Sequence, residues 1–185
     1  TRGTELCAVV EQMYSYEEMF AHTGDNKWAE RLEVLAFNAL PATLSEDMWT
    51  HQYVQMSNQI ACETFPGKSL FRTNTAEAHI FGLEPHYGCC TANFNQGWPK
   101  FAQNLWYASA DGGLASFVYA PSTVTAKVAG GVEVSLKQET FYPFDETVQV
   151  TVGFTSRKVK KAEFPLYFRV PKWCSQAEVK VNGVN

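Results

Sequence analysis

The hydrophobic pattern of the chain changes its period once, near Asp111-Gly112-Gly113. Before this point apolar residues recur every three or four positions, which is the spacing of amphipathic helices. After it, apolar and polar side chains alternate, which is typical of strands with one buried face. We therefore expect an α+β chain, with helices before about residue 112 and an antiparallel sheet after it.

Two consecutive helices are predicted at the start of the chain. The first runs from Thr4 to about His22, is closed by Gly24 and keeps three glutamates on its solvent side: Glu11, Glu17 and Glu18. Asp25 is placed to cap the second helix, which Pro41 stops. A further helix is predicted after Cys90, with Thr91 as its N-cap.

The second part of the chain contains four alternating segments that we interpret as antiparallel strands, part of a sandwich. They are 132–137, 148–152, 166–170 and 179–182. Asn182-Gly183 is a typical two-residue hairpin turn. The chain also begins almost directly in a helix, so we expect it to be a piece of a longer protein.

Size and charge exclude several classes of protein. A chain of 185 residues with 45% apolar content fits one or two globular domains. The net charge of -4 and the scattered basic residues argue against a nucleic-acid partner. No stretch approaches eighteen consecutive apolar residues, and Thr1-Arg2-Gly3-Thr4-Glu5 has no signal-peptide core, so we expect no membrane span.

The five cysteines include an adjacent pair, Cys89-Cys90, and an upstream Glu5-Leu6-Cys7 segment. An odd number of cysteines argues against a full disulfide framework, which leaves thiols free or bound to metal. Three thiolates with one carboxylate suit zinc better than calcium or magnesium. Two alternatives stay open: the thiols are ordinary core residues, or a closed four-ligand zinc site is purely structural.

Histidines and loop aromatics supply further candidates. His86 precedes the cysteine pair and His51 precedes Gln52-Tyr53, but neither forms a Cys-His pair that the sequence alone defines. Trp49, Tyr53 and Tyr87 are predicted to lie in loops, where an aromatic ring can stack on a sugar.

Together these segments resemble glycoside hydrolase family 127, the β-L-arabinofuranosidases and their relatives. The resemblance is carried by Glu5-x-Cys7, Tyr53-Val54, Cys89-Cys90-Thr91-Ala92-Asn93 and the strand phrases Thr140-Phe141-Tyr142-Pro143 and Phe168-Arg169-Val170-Pro171-Lys172-Trp173. It implies that residues 1–112 are the C-terminal part of an (α/α)6 barrel catalytic domain. It likewise implies that residues 113–185 are part of a β-sandwich domain.

The resemblance also implies a site and an activity. Glu5, Cys7, Cys89 and Cys90 would bind one Zn²⁺, Cys89 would be the nucleophile of a retaining glycosidase, and Tyr53 would contact the substrate. The substrate would be a carbohydrate with terminal L-arabinofuranose or a related sugar, on plant-type glycans. The proton donor is expected upstream of Thr1, so the isolated piece is expected to be inactive. The alternative is a glycan-binding homologue that does not cut its ligand. Compartment and oligomeric state are not indicated.

Overall fold

The computed structural model describes residues 3–64, 74–75, 77–82 and 88–184. The chain divides into two compact units, Thr1–Asn104 and Leu105–Asn185. The first unit contains the α-helices and the second contains most of the strands, so the chain is α+β, as its change of period predicts. In the described part of the chain, no helix is both long and apolar enough to cross a membrane.

The first two helices follow the sequence pattern. A short strand β1 (Thr4–Glu5) leads directly into α1 (Leu6–Thr23). Gly24 ends α1 in the left-handed conformation at φ 64, and its N–H donates to Phe20 O, as expected for a glycine cap. Asp25 caps α2 (Asn26–Val34) by accepting a hydrogen bond from the Lys27 N–H. Both predicted caps are confirmed.

The end of α2 is shaped by Pro41. The helix continues as a π-helical turn (Leu35–Ala39) and then a 3-10 turn (Pro41–Thr43), and the Leu40 N–H donates to Leu35 O at 2.8 Å. Because Pro41 has no N–H, it cannot supply the next helical bond to Ala36 O. The indole N–H of Trp98 takes that place at 3.2 Å. A side chain therefore satisfies a carbonyl that the proline leaves without a helical donor.

The remaining elements of this unit are β2 (Val54–Gln55), α3 (Gly88–Phe94) and α4 (Gly97–Gln103). The prediction that a helix starts after Cys90 with Thr91 as its cap is wrong, because α3 already begins at Gly88. The Thr91 hydroxyl hydrogen-bonds to His51 Nε2 at 3.2 Å. Cys89 and Cys90 consequently lie inside the first turn of α3.

Helix α1 forms the centre of the helical core and packs against α2, α3 and α4. Its fully buried apolar residues are Leu6, Val9, Val10 and Met13. Gly97 at the start of α4 allows a close approach to this core, since a Cβ atom there would lie 2.7 Å from Leu40 Cδ2. Burial of such a face supplies most of the stability of a helix this long.

Glu17 is an exception to the predicted helical pattern. We expected its side chain on the solvent face, but it is 0% exposed, and one carboxylate oxygen accepts a hydrogen bond from Asn104 Nδ2 at 2.8 Å. The reason is positional: Glu17 lies four residues after Met13 and so belongs to the buried stripe of α1. Burial raises the pKa of Glu17 to about 7, against the lowering effects of Asn104 and Lys100.

This pKa predicts a pH-dependent stability. The folded state keeps the proton up to about pH 7, whereas the unfolded state loses it near 4.5. The free energy of unfolding should therefore fall between pH 4.5 and 7, by up to about 3 kcal/mol. Glu17→Gln should make the melting temperature less dependent on pH across this window, and it should raise the melting temperature at pH 8. Thermal unfolding measured at a series of pH values checks this. Exposed Glu11→Gln is the matched control, and equal pH profiles for Glu17→Gln and the wild type would contradict the prediction.

The second unit contains two three-stranded sheets. One has the order β3-β4-β8 and the other is the antiparallel meander β5-β6-β7. A buried cluster of Leu114, Val128, Val134 and Leu136 draws on both sheets, and Trp106 and Leu166 pack against it. The strands are β3 (Trp106–Ala108), β4 (Leu114–Ser116), β5 (Ser122–Val128), β6 (Val132–Thr140), β7 (Val148–Phe154) and β8 (Leu166–Phe168).

Two of the four predicted strands differ from the expectation. β8 is shorter than predicted and pairs with β4 in parallel, with Leu114 opposite Leu166. Residues 179–182 form no extended strand, and only Val181 and Val184 make an antiparallel bridge. Asn182 and Gly183 between them have φ values of 53 and 82, which confirms the predicted tight turn. Strand direction depends on distant partners, which an alternating pattern does not identify.

Candidate metal centre

Glu5 and Cys7 are held at the junction between β1 and α1. Glu5 pairs with Val54 of β2 and has extended backbone angles, φ -75 and ψ 138. The Leu6 N–H donates to Tyr53 O at 2.9 Å, which fixes the start of the helix against β2. Residues two apart on a regular helix do not share a face, but this junction is not regular. The expectation that Glu5 and Cys7 require an extended or irregular start is therefore confirmed.

Cys89 and Cys90 enter the same region from the first turn of α3, which packs against α1. One ligand atom from each of Glu5, Cys7, Cys89 and Cys90 lies within 4.8 Å of all the others. Two of the sulfurs, Cys7 Sγ and Cys90 Sγ, are 3.0 Å apart. The structure thus brings together all four residues that the sequence singled out, from segments more than eighty positions apart.

This donor set fits a zinc ion. Zinc bonds of about 2.3 Å to sulfur and 2.0 to 2.2 Å to oxygen place three tetrahedral sulfurs and one oxygen about 3.5 to 3.8 Å apart. The separation of 3.0 Å between Cys7 Sγ and Cys90 Sγ and the upper limit of 4.8 Å for every pair lie on either side of that range. Three soft sulfurs and one carboxylate oxygen also match zinc better than the hard cations that prefer all-oxygen sites. Residues Glu5, Cys7, Cys89 and Cys90 could therefore hold this ion.

Burial explains why a cation would stabilise these thiols as anions. The pKa of Cys7 is raised, chiefly by burial, which outweighs the lowering effect of its hydrogen bonds with Cys90 and Asn93. The pKa of Cys90 is raised further, again chiefly by burial and then by the adjacent Cys7 thiol. A buried thiolate needs a compensating positive charge, and a coordinated metal supplies one.

The three sulfurs differ in accessibility. Cys90 is 0% exposed, Cys7 is half-buried, and Cys89 is exposed. Within the described part of the chain, Cys89 is thus the sulfur of the cluster that an incoming molecule reaches most readily. Solvent exposure therefore distinguishes Cys89 from Cys7 and Cys90, although all three are cysteines of the same cluster.

Tyr53 borders the cluster through Glu5. Burial, followed by the negative charge of Glu5 and a hydrogen bond to it, raises the pKa of Tyr53 to about 12. The phenol therefore keeps its proton at neutral pH and can donate a hydrogen bond to the Glu5 carboxylate. The pairing of β1 with β2 explains this position, since Glu5 lies opposite Val54, the next residue along the chain.

The other predicted candidates lie elsewhere. His51 is buried and stacks on Phe94 with ring centroids 6.2 Å apart, while Trp49 is 74% exposed in a turn. Neither belongs to the four-residue cluster. His86 and Tyr87 fall outside the described residues.

Two polar residues near the cluster were assigned no role from the sequence. Asn93 Nδ2 donates to Cys7 Sγ at 3.3 Å, and Gln96 Nε2 donates to Asn93 Oδ1 at 3.0 Å. Asn93 lies four residues after Cys89, so the helical spacing would have placed it on the cysteine face. That signal was missed because we expected the helix to begin after the cysteines.

Comparison with solved structures defines the class. A solved structure described as a glycoside hydrolase matches 98% of this chain with a TM-score of 0.76 and 28% sequence identity. The chain covers 28% of that structure's chain. No curated protein matches. The fold and the match place the chain among the glycoside hydrolases.

Family models give the finer assignment. The model of the β-L-arabinofuranosidase GH127 catalytic domain matches residues 1–103, and that of the GH127 middle domain matches residues 113–185. The chain belongs to glycoside hydrolase family 127, which confirms the resemblance noted in the sequence. The division into 1–112 and 113–185, the helical barrel and the sandwich stay predictions.

Proposed function

We propose that the protein to which this chain belongs is a retaining glycosidase with Cys89 as its nucleophile. Glu5, Cys7, Cys89 and Cys90 would bind one zinc ion, and the substrate would carry terminal L-arabinofuranose or a related sugar on a plant-type glycan. The observation that carries this proposal is the exposure of Cys89 within a cluster of four converging metal ligands. Family membership supports the class of reaction.

The chemistry assigned to Cys89 is a double displacement. A bound zinc ion supplies sulfur in its anionic form at neutral pH. Cys89 Sγ forms a bond to the anomeric carbon as the glycosidic C–O bond breaks, and the leaving oxygen takes a proton from a carboxylic acid. Water then loses a proton to the carboxylate formed in the first step and attacks the same carbon, and the C–S bond breaks to release the sugar and the Cys89 thiolate. Two inversions give net retention of configuration.

The proton donor is not assigned to any glutamate of α1. Glu17 has a pKa of about 7, a value suited to a general acid. However, it lies ten residues along α1 from Cys7, about 15 Å at the rise of an α-helix. A donor must be within about 3 Å of the leaving oxygen. We place this role upstream of Thr1, as the family resemblance implies.

Tyr53 is proposed to contact the sugar. Its side chain hydrogen-bonds to Glu5, next to the exposed Cys89. A neutral phenol at this position can donate one hydrogen bond and accept another, so it can bridge Glu5 and a sugar hydroxyl. The residue would then orient the ring relative to the sulfur.

The competing function is glycan binding without hydrolysis, with zinc as a purely structural ion. A closed site of four protein ligands favours that interpretation, because catalytic zinc usually keeps one position for water. In our proposal the open position is unnecessary, since the nucleophile is itself one of the ligands. Reactivity of Cys89 therefore separates the two functions.

An electrophilic arabinofuranose analogue, such as an epoxide of the sugar, tests this directly. We expect it to label Cys89 in the complete protein, with one label per chain located by peptide mass spectrometry and suppressed by excess L-arabinose. Cys62 is the internal control, because it is exposed but lies outside the cluster. Labelling of Cys62 at the same rate as Cys89, or no protection by the sugar, would favour the binding protein.

A further inference from the structure

Asn93 occupies a defined place beside the proposed metal ligands. It lies three residues after Cys90 and four after Cys89, so α3 presents all three side chains on neighbouring positions of one face. Its Nδ2 donates a hydrogen bond to Cys7 Sγ, at 3.3 Å, across to the other segment of the cluster. One helix therefore supplies two ligands and a hydrogen-bond donor to the third sulfur.

Gln96 fixes the orientation of this amide. Its Nε2 donates to Asn93 Oδ1 at 3.0 Å, and its backbone N–H donates to Asn93 O at 2.9 Å. With Oδ1 taken by a donor, the N–H₂ end of Asn93 faces the sulfur. An amide turned the other way would place Oδ1, an acceptor, against the Cys7 thiolate, which is also an acceptor.

A hydrogen bond to a metal-bound thiolate withdraws electron density from the sulfur. It makes that sulfur a weaker donor and a weaker nucleophile, and it holds the ligand in one orientation. The amide of Asn93 acts on the half-buried Cys7, whereas the exposed Cys89 is the sulfur proposed to attack. The two sulfurs are thereby made chemically different.

We propose that Asn93, oriented by Gln96, is a positioning residue that hydrogen-bonds to the Cys7 thiolate of the metal centre and keeps Cys7 as a ligand while Cys89 reacts. This inference rests on the proposed zinc site. It assigns Asn93 no contact with the substrate, so its effect should be seen in the metal centre itself.

The test uses the complete protein with Co²⁺ in place of Zn²⁺, and compares Asn93→Leu and Gln96→Leu with the wild type. Asn93→Leu keeps the branched shape and the number of side-chain heavy atoms but removes the donor. Asn95→Leu is the matched control, because Asn95 is exposed and lies two positions further along. The measurements are the sulfur-to-cobalt charge-transfer band and the zinc affinity in competition with a chelator.

We expect Asn93→Leu to move the charge-transfer band to longer wavelength, because the sulfur regains electron density. We expect it to lower zinc affinity about tenfold, because Cys7 is no longer held in one orientation and this loss outweighs the stronger donation. Gln96→Leu should change both in the same direction by less, and Asn95→Leu should change neither. A merely structural role would leave the band unmoved. If Asn93→Leu does not fold, the charge-transfer band and the zinc affinity of Gln96→Leu test the proposal instead.

The outcomes separate this inference from the function beneath it. If the wild type binds zinc and the Asn93 and Gln96 variants have the same charge-transfer band and the same zinc affinity, the role of Asn93 is wrong but the metal centre stands. A wild type that takes up neither zinc nor cobalt would overturn the metal centre, and the inference with it.

Discussion

Replacement of Cys89 by serine in the complete protein should abolish hydrolysis of an aryl β-L-arabinofuranoside. We expect kcat to fall at least about 10³-fold, because a serine hydroxyl at neutral pH is a far weaker nucleophile than a thiolate and has no general base beside it in the proposal. Cys89 is exposed, so the substitution opens no cavity, and the melting temperature should change little apart from any loss of metal affinity.

The matched control for this variant is Cys62→Ser, which changes another exposed cysteine outside the cluster. It should retain the wild-type rate. Retained turnover by Cys89→Ser, measured with metal content equal to the wild type, would remove the nucleophile from the mechanism.

Replacement of Cys7 by alanine should have the largest effect on metal content and stability. Removing one of four ligands lowers zinc affinity, and any free energy that zinc binding contributes to folding is lost with it. At a zinc concentration 1,000 times the dissociation constant, that contribution is about 4 kcal/mol. We expect substoichiometric zinc by elemental analysis and a clear fall in the melting temperature.

Cys174→Ala provides the comparison for Cys7→Ala, because both cysteines are half-buried and Cys174 lies outside the cluster. It should keep one zinc per chain. Unchanged zinc stoichiometry in Cys7→Ala would exclude Cys7 from the ligand set.

Much of the candidate site was predictable because it depends on local chain geometry. Glu5 and Cys7 can bind one ion only if the backbone at Glu5 is extended or irregular, and the structure has that geometry. The contact between Cys7 and Cys90 could not be predicted from local geometry. Composition and spacing alone favoured ordinary core thiols, and it was the resemblance to a known family that indicated a common site.

The features that the sequence did not reveal depend on tertiary contacts. The burial of Glu17 follows from its position after Met13 and from the Asn104 amide, which is distant in sequence. The parallel pairing of Leu166 with Leu114 depends on a partner strand that is itself only three residues long. Local propensity cannot supply either contact.

The separation of Cys7 and Cys90, 83 positions along the chain, has a consequence beyond catalysis. An ion held by both would act as a reversible cross-link that closes a loop of that length. By the loop-entropy relation for covalent bridges, such a closure destabilises the denatured chain by about 4.5 kcal/mol. The ion proposed to activate Cys89 would then also link α1 to α3, and a chelator rather than a reductant would break this link.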